Sequence, residues 1–222
     1  PRGIMRQLTG SFDMVPLATT SGWMINRTYI KYWPAEYHSQ SAIDAILQIR
    51  RDIGSNEVRS IRINSFEAAV SIIGSEPEKW RPTSRETADH SLPFCVAVAL
   101  ADGQLTRQSF APARLKDQRV LQLMDRIEIR EDASLNEGYP EGIPNDLIVT
   151  LADGRTLRKR VDFPRGHYRN PMSDEEVEKK FRTQAEGMIS SRTADRILEA
   201  AWNLDRLADV SPLMEFAVLK SR

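Results

Sequence analysis

The sequence predicts an α+β fold, an antiparallel sheet with helices packed on it and followed by C-terminal helices, and three observations carry this. Residues 146–151 and 156–161 alternate apolar and polar positions around Ala152, Asp153, Gly154 and Arg155, and Asp-Gly between alternating runs is a strong hairpin signal. Ile61 and Ile63 alternate with Ser60, Arg62 and Asn64, as in a half-buried strand. Beyond Asp162 the alternation stops, and Ser173 with Glu176 forms a capping box that opens a helical tail.

Taken in order, residues 1–26 show no sustained period and read as a connecting segment, with Ile4, Met5, Leu8, Phe12 and Met14 seeking a surface elsewhere. Pro34 disfavours helix at the residue before it, so residues 31–33 should be extended, and a helix is expected from Ser39 to a stop at Gly54. A short helical run follows at 66–73. Residues 74–86, with Glu76, Glu78, Lys79, Trp80, Arg81 and Arg85, read as a charged loop. Asp89 or Ser91 can cap a helix that carries Pro93 in its first turn and ends at Asp102-Gly103. Residues 117–126 read as a helix, 127–130 as a strand and 131–145 as a loop. In the tail, Val177, Phe181 and Met188 share one helix face, residues 193–207 form the next helix, and Ser211-Pro212 opens a last short one. The expected division is therefore a connecting segment at 1–26, a lid-like α+β domain at 27–170 and C-terminal helices at 171–222.

The stretch from 31 to 40, KYWPAEYHSQ, gathers a lysine, a carboxylate, an imidazole and an amide among aromatic residues. At a strand-to-helix junction, Lys31, His38 and Gln40 around a helix N-terminus would suit a carboxylate-bearing ligand, with Glu36 as a further polar group. The same residues also suit a helix start whose polar groups are caps and whose Tyr32, Trp33 and Tyr37 fill the core. Both readings stand at this point.

Composition narrows the alternatives. With 41% hydrophobic and 28% charged residues the chain reads as soluble and globular, and 31 basic against 31 acidic residues argue against nucleic acid or a membrane surface as partner. The single Cys95 permits no intrachain disulfide and no cluster of thiolate ligands, and its apolar surroundings predict a buried, inert thiol in a reducing cytoplasm. His38, His90 and His167 show no zinc-type spacing, and no glycine-rich phosphate loop is present, so no metal and no cofactor is expected. No apolar run reaches the roughly 20 residues that a membrane span needs.

Three blocks extend the reading: KYWPAEYHSQSAIDA at 31–45, IGSEPEKWRPTSRETADHSLP at 73–93 and GHYRNPMSD at 166–174. In this order they resemble signatures of the MmgE/PrpD family, and the PAE-aromatic-HSQ form resembles its 2-methylcitrate dehydratase branch. The resemblance reaches only the family's C-terminal part. It implies a hydro-lyase that removes water from a tricarboxylate without metal or iron–sulfur cluster, with Lys31 holding a substrate carboxylate and stabilising developing charge. It also implies a homodimer, and a helical N-terminal domain as partner for the tail helices. The chain is therefore expected to be a fragment or a processed chain, inactive alone, with Val177, Phe181, Trp202 and Phe216 exposed or buried in another chain. The decarboxylase branch offers a tyrosine where this sequence has Ala68 and Ala69, which counts against that reaction. An epimerase of a related carboxylate, or a non-catalytic lid, remain as alternatives. Arg81, Arg85, His90 and His167 stay unassigned.

Overall fold

The computed structural model describes residues 23–218. Most of the connecting segment, including Ile4, Met5, Leu8, Phe12 and Met14, lies outside the described residues. The architecture is a four-stranded sheet with helices, followed by C-terminal helices.

After a 3-10 turn at Met24–Arg27 and another at Tyr37–Ser39, helix α1 runs Gln40–Ile53. Its buried residues Ile43, Ile46, Ile49 and Ile53 recur at helical spacing, and Gly54, with φ +62°, ends it. Strand β1 (Val58–Ser65) buries Val58, Ile61, Ile63 and Ser65 while Arg59, Ser60 and Arg62 face water. The charged stretch that follows is more structured than a loop: helical turns occupy Glu67–Ala69 and Val70–Gly74, and one more, started by a proline, occupies Pro77–Trp80. Arg85–Asp89 adds another, with Ser84 accepting the N–H of Thr87.

Helix α2 (Leu92–Asp102) is capped by Ser91, whose Oγ accepts the N–H of Phe94 at 3.1 Å, and Gly103 ends it in the left-handed region. From Leu92 to Leu100 every residue is buried, so α2 is the central helix of the core. Helix α3 (Gln118–Met124) leads to strand β2 (Ile127–Glu131), and the hairpin follows as β3 (Asn145–Leu151) and β4 (Thr156–Val161). The tail carries α4 (Asp174–Ala185), α5 (Ser191–Trp202) and α6 (Ser211–Ala217).

The strand order is β2-β1-β3-β4. Strand β3 pairs antiparallel with β1 (Ile61 opposite Val149, Ile63 opposite Leu147) and with β4 (Val149 opposite Leu157). The one departure from an antiparallel sheet is β2, which runs parallel to β1 with Ile61 opposite Ile127. Parallel neighbours need a long crossover, and the helical segment between Ser65 and Ile127, with α2 at its centre, supplies it. Helix α1 packs over β3 and β4 and against α2, while α2 also packs on α3.

The tail is different in kind. Only Ala194 and Leu198 are buried in its helices, and Met188, Trp202, Val210 and Met214 are exposed. Val177, Phe181 and Phe216 are half-buried, Phe216 beneath the guanidinium of Arg196 at 3.8 Å. Among the described residues no helix is long and apolar enough to cross a membrane.

Candidate functional site

The 31–40 stretch bends at Tyr32–Ala35, where an extended course was expected up to Trp33, and then enters α1 through the 3-10 turn Tyr37–Ser39. Ile30 N–H donates to Gly166 O at 3.0 Å, which anchors the approach to Lys31. Trp33 and Pro34 then bend the chain, and Gln40 holds that bend. Its Oε1 accepts the N–H of Trp33 at 3.0 Å, and its Nε2 donates to the carbonyls of Trp33 (3.0 Å) and Ala35 (3.2 Å). A buried amide so engaged acts by shaping the backbone.

Asp44, one turn into α1, ties the bend to the end of the sheet domain. Its Oδ1 accepts the indole N–H of Trp33 at 2.7 Å and its Oδ2 the backbone N–H of Arg165 at 2.6 Å. Burial raises the Asp44 pKa, opposed by those two donors. Arg165 in turn grips Glu176 of α4 with Nε at 3.0 Å from Oε1 and Nη2 on Oε2. A second link to α4 is Lys180, whose Nζ donates to Tyr32 O at 3.1 Å.

Lys31 itself is exposed, and no hydrogen bond or ion pair engages its side chain among the described residues. His38 and Glu36 are instead withdrawn. Glu36 Oε2 accepts the backbone N–H of His38 at 2.6 Å, and Glu36 Oε1 lies 2.8 Å from His38 Nδ1. Burial works against ionisation of Glu36, but the His38 ring and backbone N–H outweigh it and hold the carboxyl below its usual range. The His38 ring sits 5.4 Å from Phe66 and 5.7 Å from both Tyr37 and Tyr139, and Phe66 stacks on Tyr139 at 4.9 Å. Asn145 Nδ2 fixes the backbone beneath it, donating to His38 O at 3.1 Å and to Ser41 Oγ at 2.8 Å.

The expected open helix N-terminus is not there. Ser39, Gln40 and Ser41 are buried, and the N–H groups ahead of α1 already have acceptors in Glu36. The structure thus brings Glu36 and His38 together as a pair, puts Gln40 into the scaffold, and leaves Lys31 at the surface close enough to Lys180 for its charge to be felt there.

The remaining histidines are structural in geometry. His167 is buried, with Nε2 3.0 Å from Glu141 O and Nδ1 accepting the N–H of Arg169 at 3.1 Å, which fits the neutral ring that burial favours. His90 Nδ1 contacts Asp89 Oδ1 and lies 3.1 Å from Glu86 O. Arg81 pairs with Asp125. Cys95 is fully buried and burial pushes its thiol pKa up, as the apolar run predicts. No cluster of side chains with metal-ligand character occurs among the described residues.

Residues 33–206 match the MmgE/PrpD C-terminal domain. The chain belongs to the MmgE/PrpD family. It is 31% identical to the 2-methylcitrate dehydratase of Cupriavidus necator, over 83% of this chain and 40% of that protein. It is 27% identical to human cis-aconitate decarboxylase, over 90% of this chain and 42% of that one. The 2-methylcitrate dehydratase of Escherichia coli K12 is 27% identical over 83% of this chain and 40% of its own length. The chain thus spans about two-fifths of the curated relatives it matches.

Residue reasoning alone singled out the 31–40 stretch but passed over Asp44, Gly166, Arg165 and Lys180. Asp44 lies in the first family block and Gly166 in the last, so the blocks carried a signal. Nothing local marks Lys180, which reaches Tyr32 from 148 residues away.

Proposed function

We propose that this chain is the C-terminal part of a dehydratase-like lyase that removes water from a tri- or dicarboxylate. The observation that carries the reading is Lys31: an ammonium without an ion-pair partner among the described residues, on a backbone fixed by Gly166, Lys180 and Gln40, in a chain of this family. Loss of water beside a carboxylate needs a base for the carbon-bound proton, an acid for the departing hydroxyl, and cations for the carboxylates. Lys31 takes the last role, pairing with the carboxylate whose charge grows as the proton leaves. Glu36 and His38 line the site as a polar pair, and Gln40 keeps the Trp33 bend in register. The acid and the base come from the N-terminal helical domain, against which the thinly buried tail helices pack, in a cytoplasmic homodimer.

A decarboxylase reading is favoured by one observation besides the human relative. Ala68 and Ala69 offer no phenol, yet Tyr139 brings a phenol-bearing ring within 5.7 Å of His38 from another loop. Following carbon dioxide release and water loss on the same substrate panel separates the two reactions.

The test is Lys31→Met in a protein that also carries the N-terminal domain. Lys31 is exposed and unpaired among the described residues, so stability should move by no more than about 0.5 kcal/mol. Turnover of 2-methylcitrate should fall about a hundredfold, the usual cost of one contact to developing charge. Full activity in Lys31→Met would overturn the assignment, and dehydration by the 222-residue chain alone would overturn the division of labour.

A further inference from the structure

Lys31 stands between two residues whose backbone is held from the far end of the chain. Ile30 N–H donates to Gly166 O at 3.0 Å on one side, and Tyr32 O accepts Lys180 Nζ at 3.1 Å on the other. The second hold comes from α4, and Lys180 does not work alone there. Glu176 lies one turn ahead of it on the same helix face and takes the guanidinium of Arg165, with Nε at 3.0 Å from Oε1. Arg165 passes that hold on, because its backbone N–H meets Asp44, which also accepts the Trp33 indole. The two α4 side chains thus grip the bend at two points, directly at Tyr32 and through Arg165 and Asp44 at Trp33. Yet no residue of α4 is buried, and a cavity of about 370 Å³ lies between it and Tyr32, Trp33 and Pro34. Over the bend, the helix is held by side-chain contacts more than by close packing.

We propose that α4 is a strap that sets the position of Lys31, with Glu176 and Lys180 as its positioning residues, and that lifting the strap switches the site off. Losing the Lys180 contact leaves Tyr32 O without its charged donor and Lys31 tied on the Ile30 side alone. Losing the Glu176 contact frees the side chain of Arg165 next to Gly166, the residue that holds Ile30, so the two losses act on the same lysine from opposite sides. An ammonium that must meet a growing charge loses most of its effect when displaced by about 1 Å. The effect on turnover rests on the lyase reading of Lys31, whereas the hold of α4 on the segment does not depend on it.

Two measurements test it. In the 222-residue chain, trypsin should cleave after Lys31 about tenfold faster in Lys180→Met and in Glu176→Gln, since each loses a charge-assisted hydrogen bond that keeps the segment closed. Lys179→Met removes the same charge from the exposed neighbour and should be cleaved like the parent. In a protein that also carries the N-terminal domain, Lys180→Met should cut turnover about tenfold or more, yet add nothing to Lys31→Met, because residues that act through one another are not additive. A merely structural Lys180 would lower turnover by the same factor in both backgrounds, with the unfolding midpoint falling in step. Parental cleavage in both Lys180→Met and Glu176→Gln, equal acceleration in Lys179→Met, or the same fold loss of turnover in both backgrounds would each overturn the proposal. Glu176→Gln keeps the shape of the side chain and an acceptor for Ser173 N–H, so it decides the test if Lys180→Met unfolds the chain. The two readings fail separately. Full turnover in Lys31→Met with faster cleavage in Lys180→Met removes the lyase role of Lys31 and leaves the hold of α4 on the segment standing; parental cleavage removes the strap alone.

Discussion

Glu36 meets His38 at two points: its Oε2 accepts the backbone N–H at 2.6 Å, and its Oε1 lies 2.8 Å from the ring Nδ1, at ion-pair distance but outside hydrogen-bond geometry. One carboxylate therefore sets where the chain turns into α1 and keeps its charge beside the imidazole that packs among Phe66, Tyr37 and Tyr139. The pair lies within the family block, but its geometry is that of a local cap as much as of a site. That explains why the sequence admits both readings: the cap and the site are made by the same atoms.

A pH dependence follows. The Glu36 carboxyl is held below its ordinary 4.5 by His38 despite its burial. A group with a depressed folded pKa contributes stability that is complete above the unfolded value and is lost as pH falls through the folded one. Urea unfolding should therefore show the parent more stable than Glu36→Gln at neutral pH. That margin should shrink steadily below about pH 4.5, where the parent's carboxylate takes up its proton. A margin that stays constant down to about pH 3.5 would show that the ionised carboxylate is not what Glu36 contributes.

Asp44, in α1, joins the Trp33 bend just ahead of its own helix to the Arg165 loop, 121 residues further along the chain. Asp44→Ala leaves the Trp33 indole and the Arg165 backbone N–H without acceptors, which should destabilise the chain by about 1–3 kcal/mol. Hydrogen exchange of the Trp33 indole proton, resolved by NMR, gives the local reading: slow in the parent, fast in the variant. Unchanged exchange would mean that the bend is held without Asp44.

The strands and the capped helices were legible because their signals are local. The Asp153-Gly154 turn with its flanking alternation defines β3 and β4, and Ser91 and Ser173 cap α2 and α4 where the pattern places them. The parallel pairing of β1 with β2 was not legible. Strand direction is set by the crossover between Ser65 and Ile127, and nothing within either strand encodes it. For the same reason the site was half visible. Lys31, Glu36, His38 and Gln40 are neighbours in sequence, but Gln40 looks inward to carbonyls of its own loop, and the residues that fix Lys31 come from the far end of the chain. A charged stretch also hides its short helical turns, since Pro77 can start a helix as readily as it can break one.

Gly166 is the test of how the Lys31 segment is positioned. Its φ is +91°, a region that L side chains rarely adopt, and a Cβ added there would collide with the carbonyl oxygen of Ile30. That carbonyl belongs to the residue whose own N–H donates to Gly166 O, so the collision falls on the contact that anchors the approach to Lys31. Gly166→Ala must either strain the 163–170 loop or push Ile30 away. Strain of this kind costs about 1–3 kcal/mol, and displacement gives up the hydrogen bond instead. The two outcomes separate by limited trypsin digestion, because cleavage after Lys31 requires the segment to leave its anchor. We expect a lowered unfolding midpoint together with faster cleavage at Lys31 in Gly166→Ala, since the loop is also fixed by Asp44 on Arg165 N and by Phe163 O on Asn170 Nδ2, and the Lys31 segment is the more yielding partner. A lowered midpoint with parental cleavage would place the strain in the loop. A parental midpoint with parental cleavage would mean that Gly166 does not position Lys31 at all.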